Sequence, residues 1–380
     1  MKIAFVIKEL KENAGQTNTI AQLIYYINKQ FPDWQISILC HKNYSIPKLI
    51  LNHKNINIIV IPSYYRTIFQ RKKLKKVLMT YDFIYDKSTF PYFFTIRRSG
   101  IPYALVVHQL DSLKLFSDYR SKIQTLGTMI LTKFIVKRSN LVITVTPELG
   151  KFYEQNYGIK VIVIPDSIPE KFYAGNRSNK PNMNNLKLLS VGYWDGPKGR
   201  KRQHLLISML KELKDKKIKT TLTLAGLDQS NINALTNVVN YYEVQDSVNL
   251  IGHLDEKDLV HQYSVNDVYV TATTYEGFYR QVIESFACGM PALVYDSRIV
   301  TKELSQSASV LHIMKSNGGG ELYSTTNSFI NQLKKIVNNY ENYSKKAFEY
   351  SLLFKEELSG SLTVDIIKEA TLKDRCKREE

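Results

Sequence analysis

The sequence predicts an α/β chain of two doubly wound, Rossmann-like domains, and three observations predict it. Short apolar runs alternate with helical stretches over most of the length, the rhythm of a mostly parallel sheet with helices on both faces. A segment dominated by Asn, Ser, Lys and Pro, Asn176 to Asn185, breaks that rhythm, which restarts at the apolar run Leu186 to Val191. At 380 residues the chain suits two domains or slightly more at ~150 residues each, and it can bury a substantial core. The expected division is a first domain at 1–175, a second at 186–356 and a helical tail at 357–380.

Lys2 to Ile7 reads as the first strand, and Ala14-Gly15-Gln16 opens a helix with Ile20, Leu23, Ile24 and Ile27 on its apolar face. Strand, glycine turn and helix together make a ligand-binding end. Further strands are expected at Ile36 to Cys40, Ile56 to Ile61, Phe83 to Tyr85 and Tyr103 to Val107, and His108 stands at the carboxyl end of the last. Tyr64 to Lys76 interleaves aromatic residues with six basic ones, which suits a phospholipid surface or a polyanionic glycan and equally a solvated basic helix. Met129 to Arg138, then Ser139 to Thr146, and Val161 to Pro165 with Asp166-Ser167-Ile168 close the first half.

After Leu186 to Val191 come Gly192 and the cluster Lys198-Gly199-Arg200-Lys201-Arg202, with a helix beginning near His204. Cations between a strand exit and a helix start can hold a diphosphate. Leu222 to Ala225 and Val248 to Leu250 are the next strands, the latter followed by Gly252-His253-Leu254. Then a buried strand at Val268 and Val270, a polar exit Thr271 to Tyr275, a turn at Gly277, a helix from about Tyr279 to Cys288, a glycine cap at Gly289, the stop Pro291 and the strand Ala292 to Tyr295 make one βαβ unit. Glu276 lies on the loop before that helix, and Glu284 lies more than one turn inside it. A ligand touching both would lie across the helix N-terminus, an arrangement that suits a nucleotide sugar.

Composition narrows the setting. The three cysteines, Cys40, Cys288 and Cys376, are far apart and in no metal-ligand spacing, so a reducing, cytoplasmic compartment is expected. MKIAFVIKEL is too short an apolar run for a signal-peptide core, and no segment reaches the ~18 apolar residues of a membrane span. The net charge of +17 is uneven, with 27 basic against 11 acidic residues in 1–180 and 25 against 24 in 181–380. Nucleic acid, an anionic membrane surface or an acidic acceptor would each explain a basic half. No recognition motif for specific nucleic-acid binding accompanies the charge.

The run E-G-F-x-x-x-x-x-E followed by x-x-A-x-G-x-P, from Glu276 to Pro291, resembles the signature of retaining GT-B glycosyltransferases of the family-4 type. The resemblance implies two Rossmann-like domains facing a cleft, with the donor in the second and the acceptor in the first. It implies that Glu276 holds donor-sugar hydroxyls and Glu284 accepts hydrogen bonds from the ribose. Gly277, Phe278 and Tyr279 would present backbone N–H groups to sugar and phosphate, and His253 would lie where the base meets backbone. His108 matches a family histidine close to the donor sugar and acceptor hydroxyl, while Gly15 keeps the second glycine of a pair whose first is Ala14 here.

The family's arginine after the strand glycine is Tyr193 in this chain, and the family's lysine five residues later has two registers. Lys198 keeps the spacing from Gly192, whereas Lys201 keeps the spacing to the helix Leu205-Leu206-Ile207 and is favoured, with Arg200 available as the missing guanidinium. Asp166-Ser167 departs from the Asn-Gly of the family's hinge segment, and in the family the terminal helix often crosses back to the first domain.

The function expected is transfer of a hexosyl-type sugar from a nucleotide sugar to a glycan or lipid-linked acceptor of the cell envelope, with retention. Glu276, Lys201 and His108 are the expected catalytic residues. No cofactor is expected, and no metal, because the chain has no Asp-x-Asp tripeptide and the basic cluster can neutralise a diphosphate. Peripheral docking on the inner face of an anionic membrane is expected from the basic half. The alternative is a non-catalytic GT-B partner subunit, suggested by Tyr193 and Ala14.

Overall fold

The computed structural model describes residues 1–11, 15–51, 53–61, 71–87, 92–108, 126, 130–175, 177, 180–274, 276–296, 314 and 318–379. Ala14, Tyr275 and the Tyr64 to Gln70 part of the basic aromatic stretch lie outside these residues. The chain forms two compact units, Met1–Ser167 with Glu356–Glu380, and Ile168–Lys355.

The first unit is a parallel sheet of seven strands in the order β3-β2-β1-β4-β5-β6-β7. These are β1 (Lys2–Leu10), β2 (Gln35–Asn43), β3 (Ile56–Val60), β4 (Phe83–Asp86), β5 (Tyr103–Val107), β6 (Leu141–Thr144) and β7 (Ile162–Val163). β4 and β5 are buried along their whole length, as strands covered on both faces must be, which is why they read as near-continuous apolar runs. Between them run α1 (Gly15–Gln30), α2 (Arg71–Leu78), α3 (Phe93–Ser99), α4 (130–136) and α5 (Pro147–Tyr157).

The final helix, α12 (Glu356–Glu379), belongs to this unit. Val364 and Ile367 enter its core, and Ser359 Oγ donates to the Pro165 carbonyl at 2.7 Å. Gly360 faces the Tyr26 ring so closely that no side chain fits there.

The second unit is a parallel sheet of six strands in the order β10-β9-β8-β11-β12-β13. Its strands are β8 (Leu186–Val191), β9 (Thr220–Leu227), β10 (Val248–Gly252), β11 (Val268–Thr271), β12 (Ala292–Tyr295) and β13 (Gly320–Tyr323). Its helices are α6 (Gln203–Asp215), α7 (Gln229–Tyr241), α8 (Glu256–Val265), α9 (Arg280–Ala287), α10 (Thr326–Asn338) and α11 (Tyr340–Ser351).

The chain changes unit at Ser167, earlier than composition suggests. Ile168 and Phe172 are fully buried in the second unit's core, and the Ile168 N–H donates to the Phe354 carbonyl at 2.8 Å. Arg177, inside the stretch read as a linker, is also anchored there. Its guanidinium donates to the carbonyls of Cys288 at 3.0 Å, Asn266 at 2.6 Å and Tyr263, at the ends of α8 and α9, and its backbone N–H donates to Ser344 Oγ at 2.6 Å. A cation satisfies the carbonyls and the dipole at a helix C-terminus, so an apparently polar linker residue becomes a structural pin.

Candidate functional site

In each sheet the strand order reverses once, at β1/β4 in the first and β8/β11 in the second, and ligands of open α/β sheets bind outside the carboxyl ends at such a point. In the second unit, β8 ends at Gly192, which takes φ +140°, and a loop then runs to α6. Asp195 organises that loop by accepting the Arg200 N–H at 2.9 Å and the Lys201 N–H at 3.1 Å on its two carboxylate oxygens. The Gln203 side-chain amide donates to the carbonyls of Gly192 and Tyr193 at 3.0 and 3.1 Å. Arg202 holds φ +47°, a left-handed conformation uncommon outside glycine. Its guanidinium stacks 4.3 Å from the Tyr295 ring centroid and donates to the Ala272 carbonyl at 3.2 Å, which holds that geometry in place.

The loop is tied to the exit of β11 by the Thr274 N–H, which donates to the Arg200 carbonyl at 2.9 Å. There Glu276 Oε1 accepts from both Arg200 Nη1 and Lys201 Nζ. Lys201 is only 7% exposed, and its ammonium lies against Gly192, where a Cβ would come within 3.5 Å of it. Lys198 is exposed and enters no ion pair among the described residues. Burial opposes the Arg200 charge, but Glu276 and Tyr193 outweigh it and hold the guanidinium above its ordinary pKa. Tyr193, which stands where the resemblance implies an arginine, lies with its hydroxyl 3.5 Å from Arg200 Nη2.

The other residues singled out on this unit do not join that ion cluster. Glu284 is turned inward from α9, accepting from Arg280 Nε at 2.8 Å and from the Tyr263 hydroxyl at 3.0 Å. Burial raises its pKa, with Arg280 and Tyr263 pulling the other way. His253 is exposed beyond β10. Phe278 packs on the Phe354 ring, Tyr279 is buried with its hydroxyl on the Thr273 carbonyl at 3.4 Å, and the amides of Gly277 and Phe278 donate no backbone bond among the described residues. Those amides precede α9 and are available to an anion. Gly289 takes φ +62°, as the helix cap requires.

In the first unit, Gly15 opens α1, and His108 follows β5. His108 Nδ1 lies 3.5 Å from Asp166 Oδ2, and its Nε2 is buried with no hydrogen-bond partner among the described residues. Lys87, buried at the end of β4, donates to Thr19 Oγ1 at 2.7 Å and lies 3.5 Å from Asp166 Oδ1. Sequence reasoning passed over Lys87 and gave Asp166 no role. The available signal was the charged pair Asp86-Lys87 directly after the apolar run Phe83 to Tyr85, since burying a lysine requires a partner.

Burial, then Lys87, pushes the His108 pKa down to about 3, with Asp166 opposing. A group depressed in the folded state adds stability above its ordinary pKa of 6.5 and loses it as the pH falls toward about 3. We therefore expect urea-unfolding stability to drop more steeply between pH 6.5 and 3 in the wild type than in His108→Gln, which cannot titrate. Parallel pH profiles for the two proteins would contradict the assignment.

Among the described residues no group of three or more His, Cys, Asp or Glu is placed to hold a metal ion, and no helix is long and apolar enough to cross a membrane. The family model described as Glycosyl transferases group 1 matches residues 177–345, and that described as Glycosyltransferase Family 4 matches residues 15–171. No curated protein matches by sequence.

Among solved structures, Anabaena HepE in complex with UDP aligns with a TM-score of 0.73 at 16% identity over 97% of this chain and 100% of its own. Sucrose-phosphate synthase from Thermosynechococcus elongatus aligns with a TM-score of 0.71 at 17% identity over 97% and 98% of the two chains. The lipopolysaccharide outer core galactosyltransferase WaaB aligns with a TM-score of 0.66 at 15% identity over 99% and 100%. At these identities the likeness is one of fold.

Proposed function

From a chain that belongs to the glycosyltransferases of the group 1 and family 4 type, with the GT-B fold, we propose transfer of a hexosyl-type sugar from a nucleotide sugar to a glycan or lipid-linked acceptor. The observation that carries the proposal is the meeting of Arg200, Lys201 and Glu276 where β8 and β11 part. Two fixed cations beside a strand-exit glycine can take the charge of a departing diphosphate. The free amides before α9 add to that field. As the diphosphate draws Arg200 and Lys201 onto its own oxygens, Glu276 is left to hold sugar hydroxyls.

Arg200 reaching Glu276 supports a catalytic chain over a non-catalytic partner subunit, because a guanidinium stands in the site although Tyr193 follows Gly192. Retention is taken from the resemblance of the run Glu276 to Pro291 to the family signature. In the first unit, a neutral His108 offers an unpaired Nε2 to an acceptor hydroxyl. With these cations the reaction is metal-independent, takes place on the cytoplasmic side and serves envelope polysaccharide or glycoconjugate synthesis.

Structures of HepE hold UDP and UDP-glucose, which makes uridine donors the first to try here. A nucleotide sugar present at 100 times its dissociation constant is expected to add ~2.7 kcal/mol of stability, read as a thermal shift with and without chelator. A shift abolished by chelator would overturn metal independence. No shift across the common nucleotide sugars would overturn the donor assignment itself.

A further inference from the structure

Three helices of the first unit carry an outward face that is both cationic and apolar. α2 contributes five Lys or Arg, α3 two and residues 130–138 three, and none of the three segments contains Asp or Glu. Their exposed residues fall on single helical faces: 72, 73, 76 and 77 on α2; 94, 97 and 98 on α3; and 130, 131, 133, 134, 137 and 138 on α4 and its exit. Large apolar side chains share those faces, with Ile130 63% exposed, Phe94 38% and Phe134 36%.

The faces are neighbours. α3 packs beside α2, and the rings of Phe94 and Phe134 meet with centroids 6.0 Å apart. Arg138 lies 3.7 Å from the centroid of the Phe134 ring. Arg97 and Arg138 also line a cavity of about 740 Å3 whose remaining charged residues, Lys160, Glu369, Lys373 and Asp374, balance one another. Lys75 and Lys76 of α2, Arg97 and Arg98 of α3, and Lys137 and Arg138 after α4 stand at the helix C-terminal ends, which lead into the amino ends of β4, β5 and β6, while Arg71, Lys72 and Lys73 open α2.

Apolar side chains ringed by cations mark a surface made for an interface of opposite charge. We propose that the face built by α2, α3 and α4 docks on an anionic lipid bilayer, with Phe94, Ile130 and Phe134 entering the acyl boundary and the lysines and arginines meeting headgroup phosphates. A nucleic acid would use the same charge but has no use for an exposed aliphatic such as Ile130. The proposal deepens the lipid-linked acceptor reading by naming the surface that would meet the membrane. It uses none of the donor-site residues, so vesicle binding and nucleotide binding fail independently.

The test is co-sedimentation of the full chain with phosphatidylcholine vesicles and with vesicles containing phosphatidylglycerol, at low and high salt. Binding is expected only to the anionic vesicles and is expected to weaken as salt is added. Lys133→Gln with Lys137→Gln should weaken it about tenfold or more, and Ile130→Ser alone, at a solvent-facing position that folding does not need, should weaken it without moving the melting temperature. The triple change Phe94→Ser, Ile130→Ser and Phe134→Ser should abolish it. Equal binding to neutral vesicles, or wild-type binding by both the Ile130 and the lysine variants, would overturn the proposal. Binding of mixed-sequence single-stranded DNA without binding of anionic vesicles would overturn it too, and would assign the face to nucleic acid.

Discussion

Lys201→Ala is expected to lower turnover of the nucleotide sugar by about 10²–10³-fold, a loss of ~2.7–4 kcal/mol of transition-state stabilisation, as for other preorganised charge donors. The ammonium is buried and fixed against Gly192, so it meets a diphosphate by exchanging its Glu276 partner and not by travelling to the site. Charge on the leaving group grows as the glycosidic bond breaks, so the loss should fall on kcat more than on donor binding. Lys198→Ala should behave as wild type, because that side chain is exposed and outside the cluster. Hydrolysis or transfer rates for the two variants decide the matter. An inactive Lys198 variant beside an active Lys201 variant would refute the assignment. The Lys201 variant should still fold, since Glu276 keeps Arg200 as partner.

Glu276→Gln is expected to separate binding from chemistry. The amide is nearly isosteric but cannot neutralise Arg200 and Lys201, which would then offer their full charge to a diphosphate. Calorimetry should therefore show uridine diphosphate bound as tightly as by the wild type or more tightly, while turnover falls by about 10²-fold, the scale for losing one preorganised group at the reacting centre. The contrast arises because Glu276 repels the diphosphate in the ground state but orients the sugar for transfer. Wild-type turnover in this variant would remove Glu276 from the mechanism. A parallel loss of affinity and turnover would make it a binding residue only.

Much of the fold was legible because period and punctuation are local properties. The apolar runs at Leu186 to Val191, Tyr103 to Val107 and Ala292 to Tyr295 are strands over those same residues, and Gly289 supplies the positive φ that ends α9. The run from Glu276 to Pro291 pointed to a βαβ unit and, by resemblance, to the family that the chain matches in both halves. Less local features were misread. The polar segment after Ala174 looked like a linker, yet Arg177 within it anchors three carbonyls of the second unit, because a polar residue can serve solvent or helix ends alike.

By itself, then, the sequence determined where most of the strands lie, that the sheets are mostly parallel, and which strand exits carry cations and carboxylates, while β13 escaped it. Only the tertiary structure decided which of those groups meet. Arg200 reaches Glu276 across 76 positions of sequence, and Lys87 reaches Thr19, on the helix after β1, across 68. Each pairing depends on strand order, β8 beside β11 in one sheet and β4 beside β1 in the other, and on loops aimed by single contacts such as those of Asp195. No local pattern encodes that order, because any apolar strand can pair with any other. The order is set by the burial of whole faces, a property of the folded chain as a unit.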